Sequence, residues 1–109
     1  MTVKELSDAL ELKVFYMEEE DREVEGGYCG DLLSWVMGRA QMDNAWITIM
    51  SNVNVIAVAS LADTSCVIVA EDVEVPQELI DTAQDKGVNV LGSKLPIYET
   101  ALELSKLIS

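Results

Sequence analysis

Three near-continuous apolar runs, Ala45-Trp46-Ile47-Thr48-Ile49-Met50, Cys66-Val67-Ile68-Val69-Ala70 and Val88-Asn89-Val90-Leu91, constrain the fold more than any other feature. None shows the apolar–polar alternation of a half-exposed strand, so each predicts a strand covered on both faces. Helix candidates follow them. Pro76 suits a first helical position, Leu79, Ile80 and Ala83 share a face, and Gly87 ends that helix. Pro96 opens the last helix in the same way, with Ile97, Ala101, Leu104 and Ile108 turned inward. Between the first two runs, Val53–Leu61 is ambiguous, because its β-branched residues favour a strand. Ser51 and Asn52 are good helix caps, however, and the 15 residues from 51 to 65 meet the crossover length of a parallel pair. Helix is the expectation. The rhythm predicts an α/β fold: a single three-layer domain over residues 1–109 with a mainly parallel sheet built from successive strand–helix units.

The amino-terminal half is less regular. Thr2 and Glu5 match a capping box, with Leu6, Ala9 and Leu10 on one face of the helix it opens. Leu12–Tyr16 reads as a short strand. Six acids between residues 18 and 25 predict a solvated loop running into Gly26-Gly27, and Tyr28 belongs to a short extended piece. Asp31 is expected to cap a helix through Leu32, Leu33, Val36 and Met37.

Charge excludes several functions. Twenty acidic and seven basic residues give a net charge of −13, and no histidine is present to titrate near neutrality. Such a field repels phosphate backbones and anionic lipid, so neither a nucleic-acid polymer nor a membrane is an expected partner. No apolar run reaches the roughly 18–20 residues of a membrane span, and Met1–Glu5 does not open a secretory signal, so a cytoplasmic location is expected. Cys29 and Cys66 form no Cys-x-x-Cys pair and are expected as free thiols, without the ligand set of a zinc or iron–sulfur site. No cofactor or metal is expected.

The segments Asp21-Arg22-Glu23-Val24-Glu25-Gly26-Gly27-Tyr28 and Gly30-Asp31-Leu32-Leu33-Ser34 resemble a DRTGG domain. The resemblance continues through Trp46–Ile49, Asn54–Ala59 and the two later strand–helix units, and so covers almost the whole chain. Glu25 stands where the threonine of the family's name is expected. The chain is also similar to the amino-terminal domain of HPr kinase/phosphorylase, and stand-alone versions resemble small proteins encoded beside iron-hydrogenase subunits. These likenesses imply a regulatory or accessory role, with a redox complex or a kinase as possible partner. They imply no reaction. The phosphate-cradling Gly-x-x-x-x-Gly-Lys-Ser/Thr loop is missing, since Gly92-Ser93-Lys94 lacks the earlier glycine.

Ligands of open parallel sheets collect where strands end and helices begin. That edge is expected to carry Ser51, Asn52 and Asn54, then Glu71 and Asp72, then Ser93 and Lys94, with helix amino termini open to a small anionic ligand or else simply capped. Gly26 and Gly27 either let backbone approach a ligand or make a turn, and the doublet is expected beside the same edge. Arg22 either pairs with Asp21 or Asp31 to lock the loop or meets an anion. Glu25 and Asp31 resemble an acid/base pair but lack a nucleophile beside them, and Asp31 opposes activation of Cys29. Trp35, Met37 and Met42 are expected in the core or at a subunit contact. Two functions stay open. One is a non-catalytic regulatory or ligand-binding module that recognises a small anionic or nucleotide-like molecule through Arg22, Gly26, Gly27, Tyr28, Asp31, Ser51, Asn52, Asn54 and Ser93. The other is an acidic accessory subunit that docks on a hydrogenase-type or kinase complex without a small-molecule ligand. A homodimer is expected in either case.

Overall fold

The apolar runs become the middle of a five-stranded sheet. The computed structural model describes residues 1–108. Elements follow in the order α1 (Val3–Ala9), β1 (Lys13–Tyr16), β2 (Gly26–Cys29), α2 (Leu33–Arg39), β3 (Asn44–Thr48), α3 (Asn54–Ala62), β4 (Cys66–Val69), α4 (Gln77–Lys86), β5 (Val90–Gly92) and α5 (Ile97–Ile108). The sheet order is β1-β5-β4-β3-β2. Strands β2 to β5 are parallel, and β1 joins β5 antiparallel with a bulge between Val14 and Tyr16.

The expected three layers are present, and alternation within each strand builds them. Trp46, Val67, Val69 and Val90 face one core with Val36 of α2, Val55 and Ile56 of α3, and Leu79 and Ala83 of α4. Ala45, Ile47, Cys66, Ile68 and Leu91 face the other, with Val3 and Leu6 of α1 and Leu104 of α5. The ambiguous segment is helix α3. Its neighbours β3 and β4 pair in parallel, so only a crossover can join them.

The caps match expectation at two places, whereas Pro76, expected as the first helical residue, keeps an extended ψ of 152 as the N-cap of α4. Thr2 and Glu5 exchange side-chain-to-backbone bonds as a full capping box, and those bonds hold the Glu5 carboxyl below its usual range. Gly87 closes α4 at φ +69, and Pro76 stands just before that helix. Ala9 departs from expectation: it is exposed, and the inward face of α1 is Val3, Leu6 and Ser7. Trp35, Met37 and Met42 are not core either, being 52%, 41% and 64% exposed. Helix α2 has only seven residues and turns Val36 and part of Leu33 into the core, which leaves Trp35 and Met37 on its outer side.

The acidic stretch is a strap rather than a free loop. β1 lies at one edge of the sheet and β2 at the other, so residues 17–25 cross the amino-terminal ends of the parallel strands. Asn89, entering β5, accepts from the N–H groups of Glu18 and Glu19 and donates to the carbonyls of Glu19 and Ser65. Ser65, entering β4, donates its hydroxyl to the Glu23 carbonyl. Val3 and Lys4 donate backbone bonds to Arg22 and Glu20, and Val24 donates to Met1. The carboxylates still point to water, but the backbone beneath them is stitched down. Asn89→Ala removes four bonds and leaves buried partners unsatisfied, for an expected loss of about 1–3 kcal/mol in urea denaturation. Hydrogen exchange at Glu18 and Glu19 is expected to accelerate with it, and unchanged exchange there contradicts the strap's dependence on Asn89.

Candidate functional site

The candidate residues divide between the two ends of β2. At the amino-terminal end, Arg22 donates Nε to Asp43 (3.0 Å) and Nη2 to the carboxylate (2.8 Å) and carbonyl (2.6 Å) of Asp63. Glu19 adds a third ion pair at 3.3 Å. The partners expected for Arg22 were Asp21 and Asp31, and the observed ones come instead from the turns before β3 and after α3. Both turns hold their aspartate at positive φ, +67 at Asp43 and +58 at Asp63, which aims the carboxylates at the strap. Burial alone would lower the Arg22 pKa, but the bonds from Asp63 and Asp43 outweigh it and raise it. The guanidinium is therefore a permanent, fully engaged lock. The cleft beside it, lined by Arg22, Asp63, Ser65 and Asn89 among others, holds about 80 Å³. Small-molecule sites start near 300 Å³ (roughly), so this one suits water.

Gly26 and Gly27 form no loop. Both lie in β2, paired with Asn44 and Ala45 of β3, and neither has a positive φ. They sit at the amino-terminal end of the sheet, away from the edge where the doublet was expected. The reason is packing. A Cβ on Gly27 would come within 2.9 Å of Leu104 Cδ2, so the missing side chain lets α5 lie down on β2. Tyr28, two residues into the strand from Gly26, turns to the opposite face and packs with the α2–α3–α4 core.

At the carboxyl-terminal end, Asp31 does not cap α2, whose amino terminus at Leu32 has no side-chain cap. Its carboxylate accepts instead from Thr48 Oγ1 (2.6 Å) and the Ile49 N–H (3.0 Å), tying the exit of β2 to the exit of β3. Asn52 accepts from the Asn54 N–H at 2.9 Å, which satisfies a donor at the start of α3. Ser51, part-buried, stands just before it. Glu71 and Asp72 follow β4 with φ of +65 and +55, and the Glu71 carboxylate accepts from the Ile97 N–H (3.3 Å) at the start of α5. Ser93 is buried, and its hydroxyl shares a bond with Thr100 and accepts from the Leu95 N–H. Several donors of this rim are thus taken by the chain's own side chains, while α2 and α4 begin without a side-chain cap. An open cleft of about 330 Å³ remains beside β5, where Lys13, Lys94 and Asp72 approach Gly92.

Glu25 and Asp31 stand on opposite sides of the four residues of β2, about 13 Å of strand. They form no acid/base pair. Partial burial and then Asp31 push the Cys29 thiol up from its usual range, and full burial pushes Cys66 up to about 12. Neither is an activated nucleophile. Among the described residues, no group of three or more carboxylates and thiols is placed to hold a metal ion. None of the described helices is long and apolar enough to cross a membrane. Sequence reading missed Asn89, Ser65, Asp43 and Asp63, the residues that fix the amino-terminal end.

Two outcomes follow from this geometry. Gly27→Val recovers up to about 1 kcal/mol of strand preference but overpacks against Leu104 at a cost of about 1–3 kcal/mol. The decisive measurement is the double-mutant cycle with Leu104→Ala. The pair is expected to be less destabilised than the sum of the singles, and additivity contradicts the packing role. Separately, a thiol reagent at mildly alkaline pH is expected to modify Cys29 slowly and Cys66 only after denaturation. Two equal rates in the native protein refute that assignment.

The comparisons with known proteins agree with this architecture. The structure is similar to the CBS and DRTGG domains of the regulatory region of Clostridium perfringens pyrophosphatase, a structure complexed with the activator diadenosine tetraphosphate. The TM-score is 0.70 at 12% sequence identity, over 98% of this chain and 45% of that one. The likeness is one of fold, and the chain spans less than half of its neighbour. No curated protein matches the sequence. The family model described as HPr Serine kinase N terminus matches residues 40–108, from the end of α2 through α5. With well over half of its length inside that match, the chain belongs to the HPr Serine kinase N terminus family of DRTGG-type domains.

Proposed function

We propose that this chain is a non-catalytic regulatory module that acts by association, docking its acidic surface on a positively charged partner protein. The observation that carries this reading is that side chains of the chain itself occupy donors at the exits of β2, β3 and β4. Asp31 takes the Thr48 hydroxyl and the Ile49 N–H, Asn52 takes the Asn54 N–H, and Glu71 takes the Ile97 N–H. An incoming phosphate or carboxylate has to displace these acceptors and enter the field of a chain with net charge −13. The same field favours a basic protein surface and speeds its approach. A subunit of a hydrogenase-type redox complex or of a kinase complex in the cytoplasm fits that role.

A second reading keeps a nucleotide-like ligand. It is favoured by the activator-bound state of the pyrophosphatase regulatory region, and in this chain by the open cleft between Lys13 and Lys94. Thermal denaturation with a panel of nucleotides, diadenosine tetraphosphate included, separates the two. A ligand at 100 times its Kd adds about 2.7 kcal/mol of stability, a plainly visible shift for a domain of this size. The docking reading expects no saturable shift, together with a partner complex that weakens as salt rises. A saturable nucleotide shift that is lost in Lys94→Glu overturns it in favour of the ligand reading.

A further inference from the structure

The two edges of the sheet are built differently. Both edge strands have four residues, so length does not distinguish them. The β1 edge carries Lys13 and a bulge that breaks its register with β5. Charge and bulging are devices that stop an edge from pairing with another chain. The β2 edge has neither, and its register with β3 is regular from Gly26 to Cys29. β2 is paired on one side only, so alternate backbone N–H and C=O groups of the strand face outward.

Beside this edge lies an apolar groove of about 170 Å³ between β2 and α5, lined by Gly27, Cys29, Ala101, Ser105 and Ile108 over a floor of Ile47 and Leu104. Tyr98 and Leu102 lie on the same flank of α5, about two and one helical turns from Ser105, and are 73% and 41% exposed. Formal charge is confined to the border of this surface, where Glu99 and Lys106 stand three and four positions from Leu102 along α5. Gly26–Gly30 is a neutral run between six acids in residues 18–25 and Asp31, and the groove contains no ionisable group except the Cys29 thiol.

Charge selects the occupant. A basic partner gains from carboxylates and finds none here. A second copy of a chain with net charge −13 is repelled everywhere except at a neutral surface. We infer that the β2 edge and the adjoining flank of α5 form a homodimer interface, in which two β2 strands pair antiparallel about a two-fold axis. The sheet then runs through both copies, and the two α5 helices cover the seam with Tyr98 and Leu102. This pairing goes beyond docking on a basic partner, because it uses a different surface and needs only the chain itself.

Light scattering across a concentration series is the test, with purified chain alone. The wild type is expected at twice 12.0 kDa. A bis-maleimide is expected to join the chains through Cys29, since Cys66 is buried. Gly26→Pro removes an outward N–H and faces only the end of the Asn44 side chain. Leu102→Glu places charge on the outer flank of α5 and leaves both cores intact. Each is expected to raise the dimer Kd by about tenfold or more, with a melting curve unchanged at dilutions where the wild type is also monomeric. If Gly26→Pro fails to fold, Leu102→Glu carries the test. A wild type that stays monomeric at high concentration overturns the inference, as does a dimer whose Kd Leu102→Glu leaves unchanged. Neither result bears on nucleotide binding or on salt-sensitive docking, so the two proposals fail separately.

Discussion

Residues 17–25 have to cross the amino-terminal end of the sheet, because β1 ends at one edge and β2 begins at the other. Six carboxylates lie in that crossing, and their mutual repulsion favours an expanded chain. What opposes the repulsion is a row of polar groups on the ends of the central strands. Asn89 holds Glu18 and Glu19, Ser65 holds Glu23, and Arg22 reaches back to Asp43 and Asp63. The acids keep their hydration while their backbone is fixed, so little charge is buried. The position of β2, and with it the seat of α5 and the exit of α2, depends on this crossing.

The sheet interior and its crossovers were legible because periodicity and connection length are sequence properties. Ala45–Met50 and Cys66–Ala70 read as doubly covered strands, and the structure ends them at Thr48 and Val69, while α3 followed from the need for a parallel crossover despite its β-branched residues. The glycine doublet was misread because glycine favours turns by conformation, whereas here the demand is lateral. Leu104, 77 positions later, needs the space that Gly27 leaves empty. Asn89 gave one signal that went unused. A single amide between Val88 and Val90 in an apolar run has to find partners, and Asn89 is indeed buried with its bonds filled. Which partners it finds is set by topology, and topology is not local. Trp35 failed as a core residue for a similar reason. Its helix is too short to bury more than one face.

The carboxyl-terminal rim shows how an acidic chain settles its own electrostatics. Carboxylates are favourable where backbone N–H groups converge, at helix starts and strand exits. Asp31 and Glu71 occupy two such places. Their charge is thereby offset within the fold, and the positions that serve anion binding in other parallel sheets are used for structure. Fold likeness alone therefore does not transfer a ligand site, since a site depends on which donors stay free.

Three residues read from the sequence as motif elements, all outside the matched residues 40–108, share one task once they are placed. Arg22 anchors the approach to β2, Gly27 admits the helix that covers it, and Asp31 ties its exit to β3. All three position a single edge strand. The side chain of Glu25, the residue before the glycine pair, takes no part in that task. Its side chain is exposed, and its N–H donates to the Asp43 carbonyl whatever the side chain is.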